Sequence, residues 1–143
     1  MRVLVDTNVL VKAAIDFATE QNSNEQRIIE LLLDWKMEII YTVPILEEYS
    51  RVAKRLENKE FGSWLRYLVI SAMDSYFVNV DECKELVRRF ETKVPREDLL
   101  HFVACIVGNA DYLISLNREF LKKAENKGFH CVTPKEFLNQ VKF

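Results

Sequence analysis

Three carboxylates, each placed beside the end of an apolar run, carry most of the chemistry this chain can do. Asp6 follows Arg2–Val5, a short run that is apolar after Arg2 and β-branched enough to read as a buried strand. Glu48 lies early in a helix that leaves a second strand at Met37–Tyr41, with Thr42 able to cap it and Pro44 in its first turn. Asp98 falls in the first turn of a helix opened by Pro95 and running to about Val107. Asn117 follows a fourth strand, Tyr112–Ser115. If strands one, two and four are neighbours, all four residues meet at the carboxyl edge of one sheet, where sites in open α/β folds form. Oxygen ligands of this kind suit magnesium or manganese, for which one or two carboxylates and several waters suffice. Such an ion offsets the mutual repulsion of crowded acids, activates water and stabilises charge on a phosphodiester.

The remaining elements must hold these residues in place. Val9–Phe17 has helical character, and Ser23 and Gln26 have capping-box spacing ahead of an apolar helix ending near Trp35. Ile45, Tyr49, Val52 and Leu56 recur on the inner face of the Glu48 helix. Phe61–Ser75 reads as a helix, Phe77–Val80 as a third strand, and Asp81 as the cap of a helix through Phe90. Leu99, Phe102, Val103 and Ile106 form the buried stripe of the Asp98 helix. Arg118–Lys127 closes at Gly128, His130–Val132 is a fifth strand, and Thr133-Pro134 starts a last helix. Strands alternating with helices imply a parallel sheet covered on both faces.

With 143 residues, 49% hydrophobic and 29% charged, the chain is expected to form a single domain over residues 1–143. Three glycines and three prolines leave little room for linkers. The first strand meets Asp6 too early for a signal-peptide apolar segment, and no run approaches the roughly 18 apolar residues that span a bilayer. Cys83, Cys105 and Cys131 are odd in number and lack CxxC spacing, so they read as thiols in a reducing compartment. A cytoplasmic protein without membrane attachment is expected. A net charge of −2 gives no global attraction to nucleic acid, so any such attraction is local.

The motifs resemble those of PIN domains, including VapC-type toxins. Val5-Asp6-Thr7-Asn8-Val9-Leu10 is similar to the opening motif of that family, Ile45-Leu46 with Glu48-Tyr49 to its second acidic motif, and Arg96-Glu97-Asp98-Leu99-Leu100 to its third. Ala110-Asp111-Tyr112-Leu113-Ile114-Ser115 resembles the strand-four segment and Thr133-Pro134-Lys135-Glu136-Phe137-Leu138 the closing helix. The resemblance implies a three-layer α/β/α fold with a five-stranded parallel sheet ordered 3-2-1-4-5. It further implies an endoribonuclease using Mg2+ or Mn2+, with Asp6, Glu48, Asp98 and Asn117 as catalytic and metal-holding residues. Thr7, Asn8 and Ser115 would orient the site. RNA would be the substrate, a small antitoxin a partner, and a homodimer the assembly. Asn117 departs from the family, where many members carry an acid.

Each residue also has a plainer reading. Asp6 could cap a helix, Glu48 could be a solvated charge like Glu47, and Asp98 could answer the helix dipole. Asp111 precedes strand four, and four strand residues at roughly 3.3 Å put it more than about 13 Å from the site edge, so it reads as structural. Asp81 and Glu82 read as capping residues, and His101, one turn after Asp98, as a core or boundary histidine. Lys12, Arg51, Arg55 and Arg118 could grip phosphates or form an ordinary solvated face. A haloacid-dehalogenase-type phosphatase would need an Asp where Asn8 stands, and a receiver domain would need acidic pairs that are missing. A PIN-like module that only binds RNA or protein remains the alternative. Apolar surface on Ile28–Trp35 and Phe61–Met73 exceeds what one core stripe needs, which favours a dimer.

Overall fold

The computed structural model describes residues 1–124 and 128–143. Five strands, β1 (Arg2–Val5), β2 (Glu38–Tyr41), β3 (Ser75–Phe77), β4 (Tyr112–Ile114) and β5 (His130–Val132), form one all-parallel sheet in the order β3-β2-β1-β4-β5. This is the 3-2-1-4-5 order expected above. Val3, Leu4 and Val5 are fully buried because β1 sits at the centre with helices over both faces. Eight α-helices connect or follow the strands: α1 (Thr7–Ala18), α2 (Asn24–Leu33), α3 (Val43–Leu56), α4 (Lys59–Tyr67), α5 (Lys84–Phe90), α6 (Arg96–Val107), α7 (Arg118–Ala124) and α8 (Pro134–Gln140). Helices α1 to α4 pack on one another and α8 joins α2, whereas α6 packs on α5 and on β1 and β2. Right-handed crossovers put these two groups on opposite faces. Strand order reverses at β1, so the crevice between the carboxyl ends of β1 and β4 is the topological switch point.

Local signals explain most boundaries. Ser23 Oγ accepts from the Gln26 N–H at 3.1 Å and Thr42 Oγ1 from the Ile45 N–H at 3.2 Å. Thr133 and Glu136 form a full capping box ahead of α8. Helices α1, α2 and α6 all end with a residue at positive φ: Glu20 at 53°, Trp35 at 58° and Asn109 at 53°. The following N–H then bonds back to the last turn, as from Lys36 to Leu31 O at 3.0 Å and from Ala110 to Cys105 O at 2.9 Å. Gly128, at φ 93°, occupies the same region, but the end of the Arg118–Lys127 helix expected from sequence lies outside the described residues beyond Ala124.

Several boundaries differ from expectation. The Phe61–Ser75 helix is α4 followed by a π turn over Leu68–Ala72, and Met73 then turns extended. Strand β3 therefore spans Ser75–Phe77 rather than Phe77–Val80, pairing Ile39 with Ser75 and Tyr41 with Phe77. Asn79, not Asp81, is the cap: its side chain accepts from the Asp81 N–H at 3.0 Å and opens a 3-10 turn over Val80–Cys83. Helix α2 stops at Leu33, before Trp35. Leu56 lies in the last turn of α3 and is exposed, so the inner stripe there stops at Val52, and Ile106 is only half-buried. Gly62 is required by close approach, since a Cβ there would stand 2.7 Å from the Ser50 carbonyl oxygen across the α3–α4 contact. Among the described residues, no helix is long and apolar enough to cross a membrane.

Candidate metal centre

Asp6 occupies the switch point. Its N–H continues the β1–β4 ladder to Ile114 O at 2.9 Å, and its side chain caps α1 by accepting from the Thr7 N–H at 2.9 Å. The second carboxylate oxygen accepts from Ser115 Oγ at 2.7 Å. Ser115 is fully buried, and its oxygen accepts in turn from the Asn117 N–H at 3.0 Å. Both oxygens of Asp6 are thus fixed, each with lone-pair capacity left toward the cleft. Capping and cleft-facing are compatible, so the plainer reading of Asp6 is true without displacing the functional one.

Glu48 arrives from α3, and Tyr49 holds that helix against the strand. The Tyr49 hydroxyl, fully buried, donates to the carbonyl oxygen of Val5. Burial, reinforced by the charges of Asp6 and Glu48, pushes the Tyr49 phenol well above its ordinary pKa, so it stays a donor. Thr7, Asn8 and Glu48 line one cleft with Asp6, Glu97, Asp98, His101, Leu116 and Asn117, of about 370 Å³. Four carboxylates line this space and, among the described residues, no Lys or Arg does. The consequence shows at Asp98, whose pKa is raised by burial first and then by the charge of Asp6, with Glu97 and Glu48 adding smaller contributions against an opposing one from His101.

His101 lies beneath the carboxylates, 3% exposed. Its Nε2 is 3.4 Å from Thr7 Oγ1, 3.6 Å from Glu48 Oε2 and 3.8 Å from Asp6 Oδ1. Its Nδ1 is buried without a hydrogen-bond partner among the described residues. Acceptors surround Nε2, so in the neutral ring the proton belongs there and Nδ1 is left as the acceptor. One turn after Asp98, it reads from sequence as a core or boundary histidine that could face the site. It is buried, yet it faces the cleft, and the signal for that was its spacing three residues after Asp98 on one helix face. Glu97 was passed over.

The other expected site residues fall in different places. Asn117 lines the cleft, but its side-chain oxygen accepts from the Phe120 N–H at 3.1 Å and so caps α7. Lys12 is tied to Asp16 and stands 3.7 Å from Glu25, away from the cleft lining. Arg51, Arg55 and Arg118 are exposed, and none of them lines the cleft. Asp111 sits at the opposite end of β4, where its carboxylate accepts from the Arg2 N–H at 2.8 Å.

The donor set fits a hard divalent cation. It offers carboxylate oxygens, one of them already disfavoured as an anion by its neighbours, which is the condition a cation relieves. Among the described residues no three of His, Cys, Asp and Glu are gathered closely enough to enclose an ion by themselves. An ion that keeps several of its waters needs only one or two carboxylates.

Fold, carboxylate edge and sequence agree with one family. The PIN domain family model matches residues 2–119, and the chain belongs to the PIN domain family. Its members are in general nucleases and typically use divalent metals. Among solved structures the chain is similar to one from the crystal structure of VapBC2 from Rickettsia felis bound to a DNA fragment from their promoter. The TM-score is 0.58 at 18% identity, covering 92% of this chain and 97% of that one. No curated protein matches.

Proposed function

We propose that this PIN domain is a metal-dependent endoribonuclease, and the observation that carries the reading is the cleft lined by four carboxylates with no Lys or Arg among its described residues. Asp6, Glu48 and Asp98 would hold Mg2+ or Mn2+, and the bound ion would supply an activated water and stabilise charge on the phosphodiester. Ser115 and the Thr7 N–H fix the Asp6 carboxylate, and Tyr49 sets α3 so that Glu48 faces it. His101 acts as a positioning residue, presenting Nε2–H toward Thr7, Glu48 and Asp6. Asn117 contributes through its backbone N–H to Ser115, and the second lone pair of its capping oxygen is free to orient a metal-bound water. Asn8 borders the mouth, while Arg51, Arg55 and Arg118 would attract RNA from outside it. Lys12, bound to Asp16, serves the fold first.

The VapBC2 likeness supports a cytoplasmic toxin whose partner is a small antitoxin. A homodimer is supported by Trp35, Tyr67 and Ile70, which stay exposed after Ile28, Ile29, Leu31 and Leu32 are consumed by the core. The reading is tested by incubating purified protein with RNA in Mg2+, Mn2+ or chelator. Cleavage that needs the metal and is lost in Asp6→Asn supports it; equal cleavage by that variant refutes it.

A further inference from the structure

The carboxylate cleft poses a problem: among the described residues no Lys or Arg lines it to attract a phosphate before a metal is present. The helix that carries Asp98 offers a solution on its other flank. Glu97, Asp98 and His101 face the cleft, whereas Arg96, Leu99 and Leu100, on the opposite side of the same turns, line a second hollow of about 800 Å³. Lys84 and Arg88 from α5 enter the same hollow, one helical turn apart and so on one face. Its apolar lining includes Val80, Val87 and Leu99, and Glu91 is the one acid among the lining residues. Lys84 reaches Asp81 at 3.0 Å, while Arg88 and Arg96 make no ion pair among the described residues.

We propose that this hollow holds the stretch of single-stranded RNA next to the scissile phosphate, with Lys84, Arg88 and Arg96 on its phosphates and the apolar floor under a base. The proposal rests on the ribonuclease reading for its substrate class. Three cations against one acid complement a polyanion, and only the first turns of α6 separate them from the carboxylates. A strand crossing that helix end reaches cations on one side and metal-holding acids on the other. The phosphate grip and the metal grip are thus two separate flanks of one helix.

The test uses the full chain carrying Lys84→Gln, Arg88→Gln and Arg96→Gln, all exposed positions. A charge-matched control carries Lys36→Gln, Lys59→Gln and Lys142→Gln, exposed residues on other elements. Fluorescence anisotropy with a labelled single-stranded RNA, in chelator and across a salt series, is expected to show about tenfold weaker binding by the first variant. Its slope of log affinity against log salt should fall by about 2, as three phosphate contacts at about 0.7 each require. In turnover, KM should rise with kcat nearly kept, and Mn2+ calorimetry should be unchanged. RNA affinity and salt slope equal to the control would overturn the proposal, and would leave the hollow to a protein partner. Cleavage by wild type with KM unaltered in the variant defeats the hollow and spares the nuclease. RNA bound through the hollow but never cleaved in metal defeats the nuclease and spares the hollow.

Discussion

Two groups of acids, toward opposite ends of α1, are built in opposite ways. Asp16 is 8% exposed and its carboxylate is answered inside the protein, by Lys12 and by Ser23 Oγ at 2.6 Å. Burial alone would raise its pKa, but the hydrogen bonds from Lys12 and Ser23 outweigh that and lower it. Asp6 in the cleft has Ser115 Oγ and the Thr7 N–H, but no Lys or Arg lines that space among the described residues, and the pKa of Asp98 is raised instead, by burial and by Asp6. A compensated acid ties α1 to the start of α2 and stabilises the fold. An uncompensated set costs stability and leaves charge for something external to neutralise. The same residue type is structure in one place and chemistry in the other, and the difference is whether the chain supplies the cation.

The largest effect should separate the groups by function. Asp6→Asn and Asp98→Asn are each expected to lower metal-dependent RNA cleavage by at least about 100-fold through lost ligand charge, while Asp16→Asn leaves kcat close to wild type; gel assays at saturating RNA compare them.

Stability should show the reverse. Removing the buried Asp16 charge breaks charge-assisted hydrogen bonds worth about 1.5–3 kcal/mol, and urea unfolding of Asp16→Asn measures the loss. Asp98→Asn, in chelator, should unfold at higher urea than wild type at neutral pH, because the repelled charge is gone.

The pH dependence follows in sign. Asp16 has a lowered folded pKa, so its contribution is present above its unfolded value near 3.8 and is lost as pH falls through the lower folded value. Asp98 has a raised folded pKa, so its penalty is present above that value and fades as pH falls through it toward 3.8. In chelator, the advantage of Asp98→Asn over wild type should therefore vanish on acidification before the deficit of Asp16→Asn does. Melting curves across the acid range that show the opposite order would break the comparison.

His101 offers a finer probe. His101→Gln, which keeps a donor, should retain more Mn2+ affinity than His101→Leu at similar folded stability; equal affinities would make the ring simple packing. The smallest effect lies in the turn that ends α1, where the Gln21 N–H bonds back to Asp16 O. Glu20→Gly should stabilise the fold by up to about 1 kcal/mol, since it removes a side chain held at positive φ.

Much of this was legible in the sequence because it is local. The apolar run before Asp6, the Thr42 and Thr133 caps and the alternation of strands and helices implied a parallel sheet covered on both faces, and the PIN-domain resemblance supplied its order. Asp6, Glu48 and Asp98 were found because each follows a strand end or a helix start that topology sends to one edge. For Lys12 the sequence leaves a phosphate grip and a solvated face both open, and Asp16, four residues on, is the partner that holds it in the structure. Contacts that join distant segments are harder to read: the resemblance marks Ser115 as orienting the site, but nothing local shows the Tyr49 hydroxyl on Val5 or Nε2 of His101 among Thr7, Asp6 and Glu48. Strand β3 was misplaced because the π turn before it keeps a helical apolar pattern to its end. The hollow of Lys84, Arg88 and Arg96 joins two helices whose packing no spacing rule encodes.

Mn2+ titration calorimetry on wild type, Asp6→Asn, Asp98→Asn and Asp16→Asn addresses the central claim without any nucleic acid. Wild type and Asp16→Asn are expected to bind one ion with the same affinity, and both cleft variants to lose at least about tenfold, or 1.4 kcal/mol. Unchanged Mn2+ affinity in Asp6→Asn and Asp98→Asn would contradict the claim that these uncompensated carboxylates are a metal site.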